Sequence, residues 1–364
     1  MDELKISFCI LPDGDVEEIL DTIELGDRLG FHGVYLADEI FHHDAWALLA
    51  ASAARTERIR LIVTSHVVLK QPSYMAQQLL TLDALSNGRA EALYSVGTLP
   101  MLEQHGVDLA SLKIIGRLRE AHVILRSFLD TGRVTMDGRF FRYSGLFTSA
   151  RGYQERIPLS MGGIRGPKTF ELAGEVADGL MTGLAYSEEA LAYARDHFQR
   201  GAARAGRDWR TLDLAAGLIG TIAEDGDAAR EVARVVAAFY IPAMGDAAAQ
   251  RHGIDPERLV PIREAFARGD VEQAVRLAPP DITDRLIMPV GTPEEVIEQM
   301  NVLGPLRYNH AAITPIDAQM VRRIGDFDIP EVPRVAEQLQ LLHDRVLPHV
   351  RARSIAPLPI AETP

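Results

Sequence analysis

The sequence predicts an α/β fold: a (β/α)8 TIM barrel with a helical insertion after its seventh strand. Three observations point there. Eight strand-like segments recur along the chain, each followed by a stretch of helical periodicity, which is the count of that barrel. A length of 364 residues would otherwise suggest two or three domains, yet such barrels run long as one unit. The stretch from Asp225 to about Asp284 is too long and too helical for one crossover. An open doubly wound sheet also alternates, and periodicity alone does not show closure.

In order, Ile6 to Leu11 is an apolar run ended by Pro12-Asp13-Gly14. Val16 to Leu29 carries Val16, Ile19, Leu20, Ile23, Leu25 and Leu29 near helical spacing, and Gly30 stops it. Gly33 to Ala37 reads as the second strand and Ala45 to Ala54 as its helix. Ile59 to Val67 is the third strand, Pro72 to Leu85 a helix opening on proline, and Ala90 to Val96 the fourth strand. Leu112 to Leu129 is helical. Residues 134–143, with Asp137-Gly138 at the centre, read as an inserted hairpin.

Ile157 to Met161 is the fifth strand, Pro167 to Ala177 its helix, and Gly179 to Thr182 the sixth strand. Glu188 to Ala205 is helical, and Leu212 to Ile222 is the seventh strand. Extra helices follow over Ala228 to Tyr240, Pro256 to Ala267 and Val271 to Leu277. A helix capped by Val290-Gly291-Thr292-Pro293, a strand over Tyr308 to Thr314 and a helix over Val335 to Leu347 close the series. The domain reading is one barrel over residues 1–355, with the insertion at about 225–284 and a tail over 356–364.

Composition narrows the function. Hydrophobic residues make 47% and charged residues 24% of the chain, as in soluble globular proteins. The net charge of −13 argues against a nucleic-acid partner, which would need a basic stripe. No apolar run reaches the roughly 20 residues needed to span a bilayer. Met1-Asp2-Glu3-Leu4-Lys5 lacks the basic start of a signal peptide. One cysteine, Cys9, cannot form an intramolecular disulfide and reads as a small buried residue. A cytoplasmic enzyme acting on a small molecule is the expectation.

In such a barrel the chemistry sits at the carboxyl ends of the strands. Those ends are Asp38-Glu39, Thr64-Ser65-His66, Gly97-Thr98, Met161-Gly162-Gly163, Thr182-Gly183 and Thr314-Pro315. The glycine turn from Gly162 through Ile164, Arg165 and Gly166 into Pro167-Lys168 has two readings. One is an anion site built from helix-start amides; the other is a tight turn that needs glycine. Asp38 and Glu39 read either as proton carriers or cofactor partners, or as loop carboxylates that cap a helix. His66 points into the barrel mouth or its wall. His42, His43 and Asp44 show no zinc-type spacing and read as a loop, so no metal site is expected. His310 reads as a core histidine. Phe239, Tyr240, Pro242 and Met244 form either a substrate wall or core packing. Nucleophile-elbow and Walker motifs are absent from the sequence.

Several segments carry a family resemblance. The run Thr81-Leu82-Asp83-Ala84-Leu85-Ser86-Asn87-Gly88-Arg89 resembles the third-helix-to-fourth-strand signature of bacterial-luciferase-like flavin and deazaflavin oxidoreductases. Leu29 to Asp38, Ile157 to Gly163, Ala173 to Gly179 and Val290 to Glu295 resemble further segments of that family. The insertion resembles its methylenetetrahydromethanopterin reductase branch. That resemblance implies a dimeric (β/α)8 barrel transferring hydride between the deazaflavin coenzyme F-420 and a small organic substrate. The family also implies two alternatives: an FMN monooxygenase using reduced flavin and oxygen, or a non-catalytic ligand-binding member.

Carried onto this chain, the resemblance places Asp38 near the cofactor ring, and under the deazaflavin reading Asp38, Glu39 or His66 manages the proton that accompanies hydride transfer. Val63, Thr64, Ser65, Gly97, Thr98 and Thr182 line the cofactor, and the turn from Gly162 to Gly166 receives its phosphate. The branch usually has histidine where Glu39 stands, and often an acid where Thr98 stands. It also implies a bulge with a non-proline cis peptide at Val63–Thr64 or its neighbour.

Overall fold

A computed structural model describes residues 4–163, 166–183 and 187–350. In chain order the elements are β1 (Lys5–Ile10), α1 (Val16–Arg28), β2 (Gly33–Ala37), α2 (Ala45–Arg55), β3 (Arg60–His66), α3 (Pro72–Leu85), β4 (Ala90–Ser95), α4 (Leu99–Gln104), α5 (Ile114–Thr131), β5 (Arg133–Asp137) and β6 (Arg142–Phe147). There follow β7 (Leu159–Gly163), α6 (Pro167–Val176), β8 (Gly179–Thr182), α7 (Glu188–Arg204), β9 (Asp213–Gly220), α8 (Gly226–Ala243), α9 (Asp246–Arg251), α10 (Val260–Ala267), α11 (Val271–Leu277) and α12 (Pro280–Leu286). The last are α13 (Pro293–Asn301), β10 (His310–Pro315), α14 (Ala318–Arg322) and α15 (Val335–Leu341).

Eight strands close in the order β1-β10-β9-β8-β7-β4-β3-β2, with β5 and β6 a separate two-stranded sheet. This is the (β/α)8 barrel that the alternation predicts. The hairpin pairs antiparallel from Arg133↔Phe147 to Asp137↔Arg142, longer than the expected 134–143. Its turn is held by Glu120 of α5, whose carboxylate accepts the amides of Arg139, Phe140 and Phe141.

The chain falls into two compact units. The first comprises residues 6–183 and 193–215. Its helices follow local rules. Asp15 caps α1 by accepting from Glu18 N, and Ile19, Leu20 and Ile23 form its buried stripe. Pro72 opens α3 at a position whose N–H needs no partner. The turn before β4 uses left-handed backbone at Asn87 (φ 53°) and Gly88 (φ 85°). Buried Arg89 then donates to the carbonyls of Ala53, Thr56, Ile59 and Ser86, and to Thr56 Oγ1. Asp83 accepts the amides of Tyr153 and Gln154. The Thr81–Arg89 signature is thus a set of fasteners between consecutive strand–helix units.

The second unit comprises residues 1–5, 184–192 and 216–364, described within the bounds above. Its core runs from Ile219 through Val232, Val236, Leu259, Ile262 and Leu286 to Val332. Phe239 stacks edge-to-face on Phe266, and Tyr240 and Met244 pack on the same core, so of the two readings of that segment the packing one is observed. A reciprocal capping box between Thr292 and Glu295 starts α13.

Three expectations are corrected. Among the described residues the cis peptide is Met288–Pro289, and the bonds around Val63–Thr64 are trans. The physical reason lies in the ladders: β3 pairs with β4 without a shift from Leu61↔Ala90 to His66↔Ser95, leaving no bulge. Cys9 is half-buried rather than buried. Short helices α4, α9, α12 and α14 join those expected. His310 is buried, as expected of a core histidine. The tail at 356–364 lies outside the described residues.

Candidate active site

The site is built in the first unit, on the carboxyl ends of adjacent strands. Asp38 directly follows β2, and its amide donates to Thr64 O, extending the β2–β3 ladder. Its carboxylate is buried and saturated. Oδ2 accepts from Trp46 Nε1 at 3.0 Å, Ser65 Oγ at 2.6 Å and Lys70 Nζ at 2.5 Å, and Oδ1 accepts from Lys70 at 2.7 Å. Each oxygen of this buried carboxylate thus has a charge-assisted partner in the Lys70 ammonium.

Glu39, the next residue, sits differently. It is half-buried, and Oε1 accepts from Thr98 Oγ1 at 3.0 Å. Oε2 has no hydrogen-bond partner among the described residues. Thr98 occupies the N-cap position of α4, yet its hydroxyl does not cap the helix. It reaches across to Glu39 instead. The end of the second strand and the end of the fourth are thereby joined by a side-chain hydrogen bond.

His66 ends β3. It is 6% exposed, and its Nδ1 is buried with no partner among the described residues. Burial pushes its pKa below the ordinary 6.5, Lys70 and His105 push the same way, and Asp38 opposes them. The ring is thus neutral at pH 7. Gly97 packs against it with φ 104°, and a Cβ there would lie 3.2 Å from His66 Cβ. Leaving a buried ring nitrogen unsatisfied costs about 1–3 kcal/mol.

The glycine turn divides by face. A Cβ on Gly163 would lie 2.8 Å from the Phe170 ring of α6, so this glycine admits close strand–helix packing. A Cβ on Gly162 would meet only ordinary contacts with Ser95 and Leu93. Gly166 is the N-cap of α6 and brings no side chain to its first turn, where Pro167 sits. Those amides and the helix dipole suit an anion. Ile164 and Arg165 lie outside the described residues. Thr182 is buried at the end of β8, in register with Gly163, and its hydroxyl points to Ala215 O. Val63 is fully buried, Ser65 is taken up by Asp38, and Thr64 is half-buried.

Asp44 caps α2, and the His43 ring contacts Gly14 O at 2.9 Å, which fastens this loop to the β1–α1 connection. Sequence reasoning missed Lys70 and the use of Trp46. The available signal for Lys70 was a lone cation after the apolar run Val67-Val68-Leu69. No helix among the described residues is long and apolar enough to cross a membrane.

A barrel with this mouth matches one known family. The model of the luciferase-like monooxygenases matches residues 7–306, and the chain belongs to that family of oxidoreductases. Among its relatives is the 5,10-methylenetetrahydromethanopterin reductase of Archaeoglobus fulgidus, 26% identical over 340 residues, covering 90% of this chain and all of the relative. The solved coenzyme F-420 dependent tetrahydromethanopterin reductase of Methanopyrus kandleri superposes with a TM-score of 0.85 at 25% identity, covering 96% of this chain and all of that one. An F-420-dependent secondary alcohol dehydrogenase shares the fold, with a TM-score of 0.76 at 21% identity over 96% of this chain and all of that one.

Proposed function

We propose that this protein transfers hydride between the deazaflavin coenzyme F-420 and a small organic substrate. The observation that carries the reading is the division between two adjacent carboxylates. Asp38 is paired and saturated, whereas Glu39 keeps one oxygen open beside Thr98. Only the second is placed to move a proton. The relatives named above favour the deazaflavin over FMN.

The chain's residues suit such a cofactor. The side-chain-free positions Gly162 and Gly166, with the first turn of α6, would take its phosphate. His66 would stand behind that site as a buried ring at the end of β3. When bound, the reduced deazaflavin supplies the hydride. The protein's share is orientation and proton management. Glu39 delivers or accepts the proton at Oε2 as the substrate atom next to the hydride acceptor changes charge, and Thr98 fixes its rotamer. Asp38, held by Lys70, Ser65 and Trp46, keeps the floor of the site rigid. We further propose a single luciferase-like barrel domain over residues 1–355, acting in the cytoplasm as a homodimer. Light scattering should then give the mass of two chains, and a monomer mass would contradict the dimer.

The test has an anaerobic arm with F-420 and an aerobic arm with reduced FMN. Reduced F-420 and a panel of small carbonyl and C=N compounds are mixed with the protein. Recovery of oxidised-cofactor absorbance with at least one class is expected. Turnover only with reduced FMN and oxygen would overturn the reading.

A further inference from the structure

The second unit holds a cavity of about 410 Å³ that no candidate site residue lines. Small-molecule pockets typically run from about 300 to 1,000 Å³. Ile287, Met288 and Val290 give it an apolar wall, and charged side chains of both signs complete the lining. The helical insertion expected at about 225–284 contributes Arg230 and Asp284. Both are already matched. Arg230 gives Nη1 to the two oxygens of Glu295 and Nη2 to Asp227. Asp284 accepts from Arg234 on each of its oxygens. Gln299, also in the lining, closes on the main chain of Val290 through both its amide atoms.

Arg285, Glu188 and Glu189 are the charges left at the cavity. Arg285 is exposed, and its one hydrogen bond among the described residues runs from Nη1 to His252 O at 3.4 Å. Its guanidinium lies over Gly253, where a Cβ would come within 2.7 Å of Nη1. Glu188 has no hydrogen bond or ion pair among the described residues, and Arg285 forms no ion pair among them. The amide of Glu189 itself, then Ser187 and the Arg285 guanidinium, hold the Glu189 carboxyl below its ordinary range against the opposing effect of burial. We propose that this cavity binds a small zwitterion of the α-amino acid type with an apolar side chain: its carboxylate on Arg285, its ammonium on Glu188 and Glu189, and its side chain on Ile287, Met288 and Val290.

The lining selects that class. A guanidinium with free N–H groups matches a carboxylate through two parallel hydrogen bonds. An anion alone would gain that contact but face two carboxylates. An amine alone would gain the carboxylates but face the guanidinium. A ligand carrying both charges meets each with its opposite. The apolar wall then favours an aliphatic side chain, whose area leaves water on binding. Nothing in this site needs F-420, so its ligand is independent of the hydride-transfer reading.

The experiment is calorimetric titration of the cofactor-free protein with L-leucine, with isocaproate, which lacks the amine, and with isoamylamine, which lacks the carboxylate. Saturable one-site binding of leucine is expected, with each single-charge analogue at least about tenfold weaker. Arg285→Met should weaken leucine at least about tenfold and leave isoamylamine no weaker. Glu188→Gln should weaken leucine but not isocaproate. Unfolding midpoints check that both variants fold, and the analogue series on the wild type decides the matter if one does not. Exposed charges give modest affinity, so the titration runs to roughly 10 mM. No leucine binding in that range, an analogue as tight as leucine, or leucine affinity unchanged in Arg285→Met would overturn the proposal. A parallel F-420 titration separates the two ideas: leucine binding without F-420 binding sinks the cofactor reading and leaves this site standing.

Discussion

Glu39 and Asp38 are neighbours in sequence with opposite chemistry, and the difference comes from three side chains that the linear order does not bring together. Lys70, Ser65 and Trp46 converge on Asp38, while Thr98 alone reaches Glu39. Glu39→Gln keeps size and the Thr98 contact but cannot carry a proton at neutral pH. It should lower kcat by about 10²- to 10⁴-fold with cofactor affinity unchanged. Steady-state kinetics with a parallel binding titration checks this, and an unchanged kcat would remove Glu39 from the chemistry. The strand ends were readable from the sequence, so Asp38, Glu39 and His66 were named as candidates. Their roles were not readable, because a role depends on which partners the fold delivers. Lys70 escaped because a lone cation after an apolar run does not name its partner, which lies 32 residues earlier.

At the scale of elements, the glycine turn shows how one motif serves two purposes. Gly163 faces Phe170, so Gly163→Ala should push β7 from α6 and destabilise the protein by about 1–3 kcal/mol. Gly162 faces no such obstacle, and Gly162→Leu should weaken cofactor binding with little change in the unfolding midpoint. Calorimetry and a binding titration on both variants separate the effects; loss of affinity in Gly163→Ala without loss of stability would reverse the assignment. The eight barrel strands were legible because each is a buried apolar run bounded by turn residues, and Gly33–Ala37 and Gly179–Thr182 fall where periodicity puts them. Helices such as α4 and α14, of six and five residues, were not, since fewer than two turns leave no periodic signal. The regular course of β3 through Val63 and Thr64 could not be foreseen from a resemblance that implied a bulge there.

At the scale of the whole molecule, each compact unit carries a buried neutral histidine. His122 meets Tyr94 Oη at 2.7 Å in the first, and His252 meets Ser187 Oγ at 2.9 Å in the second. Burial pushes both imidazoles from 6.5 down to about 4. Unfolded, they take up protons near 6.5. Between these values the unfolded chain binds more protons, so stability present above pH 6.5 is lost as pH falls toward 4. At pH 5 the loss is about 2 kcal/mol per histidine. Denaturant melts at pH 7 and pH 5 should show it, and His252→Gln should flatten the slope. Equal stabilities at the two pH values would contradict buried neutral rings.

The central claim is that this barrel mouth binds a deazaflavin. Its most direct test is equilibrium titration of the cofactor-free protein with oxidised F-420 and, separately, with FMN, followed by ligand fluorescence. Saturable one-site binding of F-420, tighter than that of FMN and weakened in Gly162→Leu, is the predicted result. Binding of FMN alone, or of neither, would contradict it.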